Sequence, residues 1–152
     1  VRIRTATVED VEEIIEMGRG FYDESPFASI STFDEDSLRL TILALINGSM
    51  QGGLLVAEAD KLVGMAAYVI FPLYFNMQTK IGQEVFWWVR PEHRRGVGSR
   101  LMDELEAEAK RNGAKVFIGA NLSGEHDAAF ARLYRRRGYM PGEQTHIRIL
   151  SS

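Results

Sequence analysis

The run Phe86-Trp87-Trp88-Val89-Arg90-Pro91-Glu92-His93-Arg94-Arg95-Gly96-Val97-Gly98-Ser99-Arg100-Leu101 constrains this chain more than any other stretch. It reads as a hydrophobic strand, an arginine-rich turn with two glycines one residue apart, and the start of a long regular helix. Glycines let the main chain approach a ligand closely. The first amides of a helix have no partner inside it, and its dipole favours an anion there. Arg94, Arg95 and Arg100 add positive charge around the same point. The stretch is an anion cradle by its chemistry.

Composition limits what surrounds it. A chain of 152 residues, 45% hydrophobic and 26% charged, suits one globular domain of ordinary core size. The net charge of -3 gives no general reason to expect a nucleic-acid partner. Charge is unevenly spread: residues 1–60 carry twelve acids and four bases, whereas residues 90–138 carry eleven bases and seven acids. With no cysteine, disulfides and thiolate catalysis are excluded. His93, His126 and His146 form no metal-ligand grouping, so no metal site is expected. Val1-Arg2-Ile3-Arg4 is not a signal core, and no apolar run is long enough to span a bilayer. The expectation is a soluble, cytoplasmic protein without membrane partners.

The hydrophobic pattern fills in the rest. Val1–Thr5 alternates as a short strand, and Thr7 with Asp10 suggests a capping box. Val8, Val11, Ile14 and Ile15 then give one face of a helix expected to end near Gly18–Gly20. Residues 21–33 are irregular but aromatic, as a core segment or as one wall of a cleft. A second helix follows from Asp34 or Asp36 to Ile46, stopped by Asn47-Gly48. Gly53–Glu58 and Leu62–Phe71 read as a hairpin, Pro72–Met77 as a loop or bulged extension and a further candidate cleft wall or interface, and Glu84–Val89 as the next strand. A helix over 98–111 and a strand over Lys115–Ala120 complete a βαβ unit. A helix over His126–Arg137 and a terminal strand over Thr145–Leu150 close the chain. The order β, α, α, β, β, β, α, β, α, β describes a single α/β (α+β) domain on a mixed sheet.

In that order of elements the chain resembles the GCN5-related N-acetyltransferase (GNAT) superfamily. The specific part is Val89–Ala109, supported by Leu133-Tyr134-Arg135-Arg136-Arg137-Gly138-Tyr139. The family signature is Gln or Arg, two residues, Gly, one residue, then Gly or Ala. Gly96-Val97-Gly98 supplies its second half and puts His93 in the first place; a turn shorter by one residue would put Arg94 there. The resemblance implies an acyl-CoA N-acyltransferase fold: a mostly antiparallel sheet with a central, splayed parallel pair flanked by helices. It also implies acetyl-CoA as cosubstrate, with its pyrophosphate on the amides of Arg95, Gly96, Val97, Gly98 and Ser99 and with Arg100 close by. The pantetheine arm would run beside Trp88, Val89 and Arg90. Tyr134 takes the family's place for a general acid that returns a proton to the departing thiolate, and Glu84 is the nearest match to its base. The implied reaction is direct transfer of acetyl to a primary amine. Homodimerisation is carried over as usual for small members.

Other classes fit less well. A noncatalytic CoA-binding domain of the same fold would keep the glycines and lose Tyr134. The dinucleotide fingerprint needs three spaced glycines and the phosphate loop of NTPases needs Gly-Lys-Ser/Thr, and neither occurs. The acceptor is a small-molecule or protein amine. Asp23, Glu24, Asp34, Glu35 and Asp36 beside the aromatic loop would suit a cationic one.

Overall fold

The computed structural model describes residues 1–151. The chain starts with an inward-turned cation. In β1 (Arg2–Thr5), Arg4 donates to both carboxylate oxygens of Asp10, at 2.7 and 2.9 Å, and to Glu58. Asp10 also accepts from the Thr7 N–H at 2.8 Å, as the capping pattern suggests. The Arg4 guanidinium holds the Asp10 carboxyl down at about 2. One buried carboxylate thus fastens the start of α1 (Val11–Glu24) to β1 and to β2 (Gly52–Glu58).

Helix α1 does not stop at Gly18–Gly20 as its glycines suggest; it runs through them to Glu24. Both glycines are contact points. An ideal Cβ on Gly18 would lie 2.5 Å from a Leu38 methyl, and one on Gly20 would lie 2.8 Å from the Trp88 ring. Close approach of neighbours keeps the helix where propensity alone would end it. After it, α2 (Glu35–Asn47) is capped by the Asp34 carboxylate and ends on Gly48 at φ 81°. That left-handed position suits glycine.

Strands β3 (Leu62–Leu73) and β4 (Asn76–Val89) form one long hairpin around Tyr74 and Phe75. Residues 72–73 and 76–83 therefore belong to strands, so the Pro72–Met77 segment is a bulged extension of the hairpin rather than a loop, and β4 starts well before the expected Glu84. The exposed aromatics that interrupt the pattern sit at the hairpin tip, where neither face is buried: Tyr74 and Phe75 are 77% and 80% exposed. The sheet order is β1-β2-β3-β4-β5, antiparallel except for the last pair. Helix α3 (Val97–Arg111) makes the crossover to β5 (Val116–Ile118), which pairs parallel with β4 as the βαβ pattern predicts. Helices α1 and α2 cover one face with Ile14, Met17, Ile42 and Trp88; α3 covers the other with Leu101, Met102 and Leu105.

Helix α4 (Asp127–Arg136) then returns to α3 through Arg137, which donates to Asp103 and Glu106. The expected terminal strand over Thr145–Leu150 is absent: residues 141–151 have no regular secondary structure, with Ile147 and Leu150 exposed. Alternation alone makes no strand without an edge to pair with.

The two glycines of α1 differ in what a methyl would meet. At Gly18 it meets the mobile end of Leu38, and at Gly20 the flat of a buried indole. Gly20→Ala is expected to lose about 1 kcal/mol net, since overpacking by 1–3 kcal/mol outweighs roughly 1 kcal/mol of helix propensity. Gly18→Ala should be neutral or stabilising. Urea unfolding of the two variants checks the order.

Candidate functional site

The site begins where β4 and β5 part. They pair at Ile81–Val116, Gly82–Phe117 and Gln83–Ile118, and no further. On the other side of β4 the register slips: Tyr68 faces Glu84 and Ala67 faces Phe86, leaving Val85 as a bulge. A bulge adds twist and bends its strand. β4 therefore swings away from β5 immediately beyond Glu84, and a gap opens between two parallel strands.

Two side chains converge at that gap on a single residue. Glu84 Oε2 accepts from the Ala120 N–H at 3.3 Å, and the Tyr134 hydroxyl donates to the Ala120 carbonyl at 2.7 Å. Enclosure pushes the Glu84 carboxyl up to about 7 against the Ala120 hydrogen bond that favours its charge. Tyr134 is held well above an ordinary phenol, first by burial and then by the nearby Glu84 carboxylate. Its ring packs on Tyr139 at 4.9 Å and occupies the space that a Cβ on Gly119 would need. At neutral pH the pair is a carboxyl near its midpoint beside a protonated hydroxyl.

Farther along, β4 offers main-chain groups to the gap. The Arg90 N–H donates to Val63 and Trp88 sits opposite Met65. By alternation Trp87 and Val89 then turn their N–H and C=O groups away from β3. Trp88 faces the other way: its main chain pairs with β3 and its indole is buried against α1. The Val89 carbonyl is taken by Arg94 Nε at 2.9 Å.

Beyond Arg90 the chain makes a short 3-10 turn, Pro91–His93, and reaches Gly96 at φ 83°. A left-handed residue at this N-cap strains any side chain but glycine. Among the described residues, the amides of Arg95, Gly96, Val97, Gly98 and Ser99 donate to no group outside the helix. This row of free amides at a helix N-terminus is a nest with the polarity for an anion. Gly98 serves a different contact than its place in the cradle suggests. A Cβ there would meet the Trp87 ring at 3.3 Å, and Trp87 Nε1 donates to the Gly98 carbonyl at 3.0 Å. The Val97 side chain is buried in the core, and the Ser99 hydroxyl lies 3.4 Å from Arg137.

The arginines divide. Arg90 donates to the Leu62 carbonyl and pairs with Glu16 at 3.0 Å; Arg94 pairs with both oxygens of Glu24. Glu16, Gly20 and Glu24 are spaced by four and form one stripe of α1, lying against Arg90, Trp88 and Arg94 in turn. These two arginines fix the turn to α1. Arg100 donates to the Val1 carbonyl, whereas Arg95 is exposed and makes no hydrogen bond among the described residues. His93 is half-buried in the 3-10 turn. No group of acids or histidines among the described residues has the arrangement of a metal site.

Two participants carry no sequence signal. Ala120 acts through its peptide group and Val85 through its extra place in the ladder. Glu24 could be found only by matching acids four apart on α1 to the basic turn.

This fold and this site define an acetyltransferase class. The Acetyltransferase (GNAT) family model matches residues 12–139, and the chain belongs to that family. No curated protein sequence matches it significantly. A predicted acetyltransferase from Clostridium acetobutylicum, solved with acetyl-CoA, is similar over 98% of this chain and 96% of its own, with 17% identity and a TM-score of 0.74. An aminoglycoside 6'-N-acetyltransferase from Acinetobacter haemolyticus is 18% identical over 97% of this chain and 96% of its own, with a TM-score of 0.70. A ribosomal-protein-alanine N-acetyltransferase from Brucella melitensis is 17% identical over 97% and 98%, with a TM-score of 0.67. At these identities the likeness is one of fold. No helix among the described residues is long and apolar enough to cross a membrane.

The raised Glu84 carboxyl has a stability consequence. The folded state binds its proton more tightly than the unfolded chain, so its contribution is full below about 4.5 and is lost as pH rises through about 7. Glu84→Gln removes that slope. Its stability relative to the parent should improve by about 2 kcal/mol between pH 5 and pH 8, as measured by urea midpoints at the two pH values.

Proposed function

We propose that the chain transfers the acetyl group of acetyl-CoA to a primary amine. The observation that carries this reading is the meeting of Glu84 and Tyr134 on Ala120 in the gap between β4 and β5. The cosubstrate would supply an acetyl thioester, an acyl group already activated for attack. The residues present suit it: five free amides led by a left-handed glycine accept a pyrophosphate, and Arg95 is the unengaged cation beside them. The outward main-chain groups of Trp87 and the Val89 N–H would pair with an amide-bearing arm, and Trp88 and Arg90 hold that strand in place.

An amine attacks only as the free base. Glu84, with its carboxyl near 7, takes the proton from the ammonium directly or through a water. Tyr134 keeps its proton at neutral pH and delivers it from its hydroxyl to the leaving sulfur. Holding both reactants in the gap supplies much of the acceleration, and no acyl-enzyme is required. The likeness to an acetyltransferase solved with acetyl-CoA and to an aminoglycoside N-acetyltransferase supports this reading. A noncatalytic binding role leaves the Glu84 and Tyr134 pair unexplained.

Calorimetric titration with acetyl-CoA, with NAD and ATP as controls, tests the cosubstrate; selective micromolar binding is expected, and its absence would sink the assignment. Gly96→Val should weaken that binding about tenfold by straining the nest. Tyr134→Phe should lower turnover on the order of 100-fold with acetyl-CoA affinity nearly unchanged. In the parent, turnover should rise with pH through about 7, and Glu84→Gln should abolish that rise.

A further inference from the structure

A cavity of about 290 Å³ lies on the α1 and α2 face of the sheet, opposite α3. Its floor is Val85 and Phe86 together. Successive strand residues normally point to opposite faces, and the bulge sets both on this one. Phe21, Phe27 and Phe33 form its walls. The floor is therefore built by the residue next to Glu84, and the cavity adjoins the gap where the transfer is proposed.

The lining is apolar in effect as well as in composition. Most of its polar groups are already engaged. The Tyr22 hydroxyl donates to the Ser31 carbonyl at 2.6 Å, and the Ser25 hydroxyl donates to Tyr22 and accepts from the Phe27 N–H. Asp34 is the one carboxylate in the lining, and it caps α2 by accepting from the Ser37 N–H and hydroxyl. The other acids of this region do not line the cavity: Glu24 is bound by Arg94 and Glu35 by Arg19. Of the acidic residues that suggest a cationic acceptor, Glu24 and Glu35 are spent on the protein's own arginines and Asp34 on a helix cap, while Asp23 and Asp36 lie outside the lining.

Such a cavity penalises a polycation, which would leave its hydration without finding an uncommitted counter-charge. It rewards an uncharged apolar group. Its volume corresponds to about ten waters, which accommodates one aromatic ring system or a branched alkyl group. We infer that the acceptor is a small primary amine bearing a single uncharged aryl or branched-alkyl group, seated on Val85 and Phe86 while its nitrogen reaches Glu84 through the gap. This inference rests on the proposed acetyl transfer and narrows its acceptor.

The test uses the full chain with saturating acetyl-CoA and thiol release as readout. Phenethylamine, tryptamine and isoamylamine are compared with spermidine, kanamycin and a short peptide beginning with phenylalanine. The expected result is a kcat/KM at least tenfold higher for the aryl or branched amines. Phe27→Ala, at a wall position that is 47% exposed, should raise KM for phenethylamine about tenfold, with kcat within twofold and acetyl-CoA affinity unchanged. Preference for spermidine or kanamycin, equal rates across the set, or turnover of the peptide alone would overturn the inference. So would no turnover of any aryl or branched amine by protein that binds acetyl-CoA, while leaving the transferase assignment standing. Failure to bind acetyl-CoA removes both.

Discussion

Two parallel strands that stop pairing leave main-chain donors and acceptors without partners, and such groups cannot be buried idle. That constraint organises the structure from Glu84 to Gly98. β4 and β5 hold together through Gln83 and Ile118, then separate at the Val85 bulge. Past that point some of the freed groups are met by side chains, and the others stay open to the gap. Ala120 is held from both sides by Glu84 and Tyr134, and the Val89 carbonyl is capped by Arg94. The gap is kept open by the two cores on either face, which fix β4 against α1 and α3 independently of β5.

Electrostatics in the turn are divided between building and binding. Arg94, Arg95 and Arg100 read in sequence as one ring of positive charge around an anion, with Arg90 on the strand before them. Arg90 and Arg94 instead spend their charge on Glu16 and Glu24, and Arg94 also lies 5.8 Å over the Trp88 ring. An anion nest made of amides needs few side-chain cations, because its polarity comes from the main chain. What it needs is a rigid turn. The paired arginines supply that rigidity, and Arg95 keeps its charge in solvent.

Much of this was legible in the sequence. The strand, glycine turn and helix around Gly96, the crossover to β5 and the helix carrying Tyr134 follow from hydrophobic period and stop signals. The illegible parts share a physical cause: they depend on partners distant in the chain. Gly18 and Gly20 read as a stop because their compensation lies in Leu38 and Trp88. Residues 76–83 look too polar and irregular for a strand, yet pairing with β3 makes them one. Thr145–Leu150 alternates correctly but pairs with no strand. Ala120 is a site residue whose side chain says nothing, since only its peptide group takes part.

The stripe Glu16, Gly20 and Glu24 on α1 carries a mechanical consequence. Its last member grips the glycine turn, and the residue that follows it, Ser25, continues the wall of the cavity that Phe21 begins. The two ends of the gap therefore hang from one rigid rod. A rotation of α1 would loosen turn and wall together, and an anion that stiffens the turn stiffens the rod. A helix that lies outside the gap thereby ties the glycine turn to the cavity wall.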